Sequence, residues 1–154
     1  MLRAAGRSPS WCIGGEVPGL DGVAGEGAEG CLVAEADESD GTLARYAPEI
    51  AVVTNIEFDH MEHFADVAAF EDCFRRFVAQ TTGPVVYCVE DPRARSLAGA
   101  AVRAIPYGFC PEAVIRGSDW AVTENGQRYN LWRGATRVGT VELGIRGAHH
   151  ARNS

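Results

Sequence analysis

Two apolar runs, Ile50-Ala51-Val52-Val53-Thr54-Asn55-Ile56 and Pro84-Val85-Val86-Tyr87-Cys88-Val89, bracket a segment whose apolar residues follow a helical period. Val67, Phe70, Phe74, Phe77 and Val78 are spaced by three, four, three and one, which gathers them on one face of a helix. Runs this continuous are expected to be buried on both faces, as strands of a parallel sheet are. Parallel neighbours need a crossover, and the helix between them supplies it. Asp66 suits an N-cap, and Gly83-Pro84 lies just past the helix end.

The alternation continues. Asp91-Pro92 pairs a capping side chain with a proline suited to the first helical turn, and the alanine-rich stretch predicts a helix to about Val102. Ala104-Ile105-Pro106-Tyr107 then reads as another strand. Upstream, residues 1–30 are a glycine-rich leading loop with a short strand near Trp11 to Ile13, and residues 31–35 are an apolar strand expected beside that at residues 50–56. After residue 112 the grammar changes. Short apolar stretches around residues 114–116, 120–123, 129–132 and 138–143, with turns at Asn125-Gly126 and Arg133-Gly134, predict a small antiparallel meander. Residues 146–154 read as the start of a further helix. The fold class is α/β: a mainly parallel sheet with flanking helices over residues 31–111, and the meander over 112–145.

Composition narrows the function. The chain has 154 residues, 46% hydrophobic and 23% charged, with no apolar run near the ~20 residues that span a membrane. Its formal charge of -7 argues against a nucleic-acid partner. The start lacks the apolar core of a signal peptide. The five cysteines, none closer than 15 positions to the next, read as reduced and mostly buried thiols of a cytoplasmic protein. All 14 basic residues are arginine, so these residues supply neither a phosphate-loop lysine nor a Schiff base.

Ligands of open α/β sheets bind beyond the carboxyl ends of the strands. Two such ends carry chemistry here. Glu35, Asp37, Glu38 and Asp40 follow the strand at 31–35, and Asn55-Ile56-Glu57-Phe58-Asp59-His60-Met61-Glu62-His63 follows the next. Glu35 and His60 brought to one edge would form a metal site, with Asp59 orienting the imidazole. The plainer alternative is a solvated acidic loop whose members favour a following helix N-terminus. His60 and His63 have H-x-x-H spacing, which zinc uses, but no third ligand stands beside them.

Taken together, "LVAEADESDGT", "AVVTNIEFDHMEHF" and "GAHHARN" resemble the central ATP-binding domain of the Mur ligases, from about Pro9 to the last residue. The acidic run is closest to the alanine-adding branch of the family. The resemblance implies a partial P-loop-type domain and, for a complete parent, ATP-driven joining of L-alanine to the lactyl carboxylate of UDP-N-acetylmuramate through an acyl phosphate. It implies Glu35 and His60 as magnesium ligands and catalytic residues, Asn55 and Asp59 as support for that loop, and Asn153 with His150 beside the nucleotide. ATP and Mg²⁺ are the implied cofactors. Glu62 stands where the family has aspartate, and His150 where it has the first asparagine of H-N-x-x-N. The resemblance places the family's lysine-bearing phosphate loop, UDP-sugar domain and amino-acid domain outside these residues, and a polypeptide of these residues alone is expected to be inactive. A murein-tripeptide recycling ligase and a non-catalytic nucleotide- or partner-binding remnant are the alternatives.

Overall fold

The computed structural model describes residues 1–58 and 63–154; Asp59, His60 and Glu62 lie outside the described residues. The chain divides into two compact units, Met1–Asp37 and Glu38–Ser154.

The first unit is a three-stranded sheet of β1 (Ser10–Cys12), β2 (Ala24–Gly25) and β3 (Leu32–Ala34), in the order β2-β1-β3. β1 runs antiparallel to β2 and parallel to β3. The strand expected at 31–35 therefore forms but pairs with β1, not with the strand at residues 50–56, and it is not buried: Leu32 is 64% exposed and Val33 43%. Glycine makes the tight pairing possible. A Cβ at Gly27 would run into the backbone of Ser8 and Pro9.

The second unit holds a six-stranded sheet in the order β4-β5-β6-β7-β8-β9. β4 (Ala51–Val53), β5 (Pro84–Cys88) and β6 (Arg103–Gly108) are parallel, joined by α1 (Val67–Gln80) and α2 (Pro92–Leu97). Asp66 caps α1 by accepting from Ala69 N–H at 2.8 Å, and Asp91 caps α2 by accepting from Ala94 N–H at 2.7 Å. Each such cap contributes about 1 kcal/mol. α2 is shorter than the alanine content suggested. It passes at Ala98 into a single 3-10 turn containing Gly99, whose backbone freedom weakens a helix interior.

The core lies along α1. Phe70, Cys73, Phe74, Phe77 and Val78 are buried, as are Ala51, Val53 and Val85 of the sheet. Phe70 is fully buried, and its ring meets Phe58, Phe64 and Phe74 at centroid separations of 5.4, 5.1 and 5.1 Å. The expectation that residues 50–56 are buried on both faces does not hold. β4, an edge strand paired among the described residues only with β5, alternates, with Ala51 and Val53 buried and Val52 60% exposed: successive side chains point to opposite faces, and only one face is covered here.

The meander is not a separate sheet. β7 (Ile115–Thr123) adds parallel to β6, and β8 (Gly126–Arg133) and β9 (Thr136–Leu143) continue antiparallel from it. The two stretches expected around 114–116 and 120–123 are one strand with a bulge between Ser118 and Ala121, where Asp119 takes a φ of +54°. The chain closes with α3 (Ala148–Arg152). All five cysteines are free, but burial is uneven: Cys73 and Cys88 are buried, Cys110 is half-buried, and Cys12 and Cys31 are exposed. Among the described residues no helix is long and apolar enough to cross a membrane.

Candidate functional site

The second unit contains a cleft of about 390 Å³ at the carboxyl ends of its parallel strands. Three pieces of chain line it. Thr54, Asn55 and Glu57 come from the segment after β4; Cys88, Glu90 and Asp91 end β5 and begin the turn to α2; His149, Arg152 and Asn153 come from α3 and its C-cap. Strand ends collect polar groups because the chain must turn there, leaving backbone and side-chain donors that no ladder uses.

Asn55 Nδ2 donates to Glu57 Oε1 at 3.3 Å, and Asn55 Oδ1 accepts from the Thr54 hydroxyl at 3.2 Å. Glu90 ties two elements together. One oxygen accepts from Phe109 N–H at 3.0 Å and the other meets Arg152 Nε at 2.9 Å. Asn153 Oδ1 accepts from the Tyr107 hydroxyl at 3.4 Å. Burial, ahead of the nearby Cys88, pushes the Tyr107 phenol far above its ordinary range, so it acts as a neutral donor.

The residues expected from the sequence do not all meet. Asn55 and Asn153 line one cleft, although nearly the length of the second unit lies between them. His150 is exposed, and its ring packs on His149 at 4.0 Å between centroids; His149, not His150, lines the cleft. Glu35 belongs to the first unit, is exposed, and accepts Gly14 N–H on Oε2 at 2.7 Å. His60 and Asp59 lie outside the described residues, so the expected Glu35–His60 pair is not seen together.

No group of three or more histidine, cysteine or acidic residues suited to a metal ion occurs among the described residues. Glu35 nevertheless fits as a single ligand. One carboxylate oxygen is fixed by the Gly14 amide, and the other is the hard oxygen donor that magnesium prefers. The remaining acids are not equivalent. Asp40 accepts both the hydroxyl of Thr42 at 2.6 Å and its N–H at 2.9 Å, which holds its carboxyl below the ordinary aspartate range and spends it on the turn before residues 42–45.

Sequence reasoning passed over Glu90, Tyr107, Arg152 and His149. A signal for one of them was available: Glu90 comes just past the end of β5, in the same relation to its strand as Asn55 to β4.

The Mur ligase middle domain family matches residues 24–154. The UDP-N-acetylmuramate--L-alanine ligase of Renibacterium salmoninarum is 37% identical over 100% of this chain, which covers 34% of that protein. The enzyme of the same name from Rubrobacter xylanophilus is 38% identical, over 99% of this chain and 34% of its own length. Among solved structures, UDP-N-acetylmuramate-alanine ligase from Thermotoga maritima superposes with a TM-score of 0.83 at 22% identity, over 99% of this chain and 34% of that one. The UDP-N-acetylmuramate:L-alanyl-gamma-D-glutamyl-meso-diaminopimelate ligase from Neisseria meningitides gives 0.81 at 22% identity, over 99% and 52%. At such identities the structures speak to the fold alone. The chain spans about a third of the length of the curated relatives it matches. With the family matched over most of its residues and the strand-end cleft where an α/β sheet binds ligands, the chain belongs to the Mur ligase family through its middle domain.

Proposed function

We propose that these residues are the nucleotide-handling part of a ligase that adds L-alanine to UDP-N-acetylmuramate in cell-wall precursor synthesis, converting ATP to ADP. The observation that carries this is the 36–38% identity, across essentially the whole chain, to relatives named for that activity. In the reaction, the lactyl carboxylate attacks the γ-phosphorus and ADP leaves; the amine of L-alanine then attacks the acyl phosphate carbon and phosphate leaves. The cleft's Asn153 is suited to hold the nucleoside end of ATP, and Asn55 to support the metal-binding loop. Glu35, with His60 from the second motif, would hold magnesium, which when bound neutralises charge on the transferred phosphoryl group. A nucleotide-consuming reaction and five free thiols both fit the cytoplasm.

A polypeptide of residues 1–154 alone is proposed to be inactive. It carries no lysine and no G-x-x-x-x-G-K-[ST] loop, and therefore lacks the main cradle for transferred phosphate. Replacing the corresponding third of the Renibacterium salmoninarum enzyme with residues 1–154 tests the first claim. The chimera is expected to release phosphate from ATP when given UDP-N-acetylmuramate and L-alanine, and to lose that activity in Glu35→Gln and His60→Ala. Dependence on a murein tripeptide in place of L-alanine would replace this reading with the recycling ligase. A folded chimera with no alanine-dependent release would sink it. The 154-residue chain assayed by itself should release none.

A further inference from the structure

α3 has five residues, fewer than an isolated helix needs, and its N-cap Gly147 offers no side-chain hydrogen bond. Its placement therefore depends on side chains reaching from the sheet. Two of these, Gln127 and Tyr129, are core residues: Gln127 Nε2 donates to Gly147 O at 3.1 Å, and the Tyr129 hydroxyl meets Ser154 Oγ at 3.0 Å. The other two act at the cleft side of the helix, on consecutive residues that line it.

Glu90 pairs with Arg152 while its other oxygen holds the Phe109 amide, so one half-buried carboxylate fixes both the end of α3 and the chain leaving β6. Gly108 makes room for this. A Cβ there would stand 3.3 Å from the Glu90 carboxyl carbon. Tyr107, on β6, donates to Asn153 Oδ1 and thereby sets which way the carboxamide faces: one lone pair of the oxygen is taken, and both Nδ2 protons remain for another acceptor. A nucleobase presents acceptors and donors in one plane, and a carboxamide held in one orientation reads such an edge at lower entropic cost than a free one.

We propose that Glu90 and Tyr107 are positioning residues that hold Arg152 and Asn153 at the cleft rim for an adenine nucleoside. The inference rests on the nucleoside reading of the cleft given above. Neither residue touches the ligand through its own polar atoms; both act through α3.

The test uses the full 154-residue chain with adenosine as the probe, read by the side-chain amide signals of Asn153 in a nitrogen–proton correlation spectrum and by amide exchange over residues 148–153. In the wild type, adenosine should shift the Asn153 signals saturably. Glu90→Ala should raise exchange across α3 and weaken adenosine binding, each about tenfold, the scale of losing a hydrogen bond to a charged group. Tyr107→Phe keeps the ring and should leave exchange within about twofold while weakening adenosine about threefold, the scale of a neutral hydrogen bond. A merely structural role would not separate the two readouts in this way. Glu90→Gln, which keeps an oxygen for Phe109 N–H but sets an NH2 donor against Arg152 Nε–H, carries the test if the alanine variant fails to fold. Wild-type affinity for adenosine in the glutamate variant and in Tyr107→Phe overturns the inference alone. No response to adenosine in the wild type overturns the nucleoside reading, and this inference with it.

Discussion

The two units of the chain are stabilised by different means. In Met1–Asp37 the only buried residue is Pro9, and the unit is held by polar contacts: Arg7 Nε to Glu29 at 2.6 Å, Gly27 N–H to Ser10 Oγ at 3.0 Å, Ala28 N–H to Ser8 Oγ at 3.1 Å and Gly14 N–H to Glu35 at 2.7 Å. In Glu38–Ser154 a helix face of aromatic and aliphatic residues is buried, and polar contacts such as the Asp66 and Asp91 caps and the Trp120–Gln127 bond add to that packed core. A segment of this size with no apolar core has little stability of its own to draw on. The contrast shows where the acidic motif sits. Glu35 is carried by a hydrogen-bonded glycine-rich scaffold, whereas Asn55 and Asn153 are carried by a packed one.

The largest expected effect tests the packed unit. Phe70→Ala removes a fully buried ring at the centre of the aromatic cluster and should lower the unfolding free energy by about 3–5 kcal/mol, read from the urea midpoint. A loss below about 1 kcal/mol would erase the contrast. Next, Gly27→Ala drives a Cβ into the Ser8–Pro9 backbone and should cost about 1–3 kcal/mol locally, appearing as faster amide exchange over residues 8–34 with residues 70–88 unchanged. Exchange that rose equally in both regions would mean that the first unit is not a separate stability element.

The smallest effect is a pH response. Hydrogen bonds from the Arg7 guanidinium and then from Ser8 N–H hold the Glu29 carboxyl below the ordinary glutamate range. A carboxyl depressed on folding stabilises the folded form above its unfolded pKa, and that contribution is lost as pH falls through the folded value. Acidification below the usual glutamate range should therefore loosen residues 7–10 and 27–29 before the aromatic core, and Glu29→Gln should remove that early step. Identical acid transitions in the two proteins would show that the Arg7–Glu29 pair does not matter.

What the sequence revealed follows the range of the forces involved. α1, its Asp66 cap and the Asp91-Pro92 start of α2 were legible because period and capping are local. The pairing of β3 was not, since a three-residue strand records little about its partner, and neither was the end of α2, where one glycine outweighed a run of alanines. The cleft was half legible. Asn55 and Asn153 came from motifs that resemble a family, but the contacts that orient α3, Glu90 with Arg152 and Tyr107 with Asn153, join residues far apart in the chain, and no local pattern announces them. His150 was named because it stands at the first asparagine position of the family's H-N-x-x-N, and a motif position does not say which of two adjacent histidines on a short helix lines the cleft.

The cleft also bears on the order of folding. β7, β8 and β9 meet through two-residue turns, so their contacts close short loops and form early. The cleft joins the segment after β4 to α3 at the far end of the unit, one of the longest loops the fold must close. It is therefore expected to assemble after the folding barrier has been crossed. A ligand seated there would slow unfolding and leave the folding rate almost unchanged.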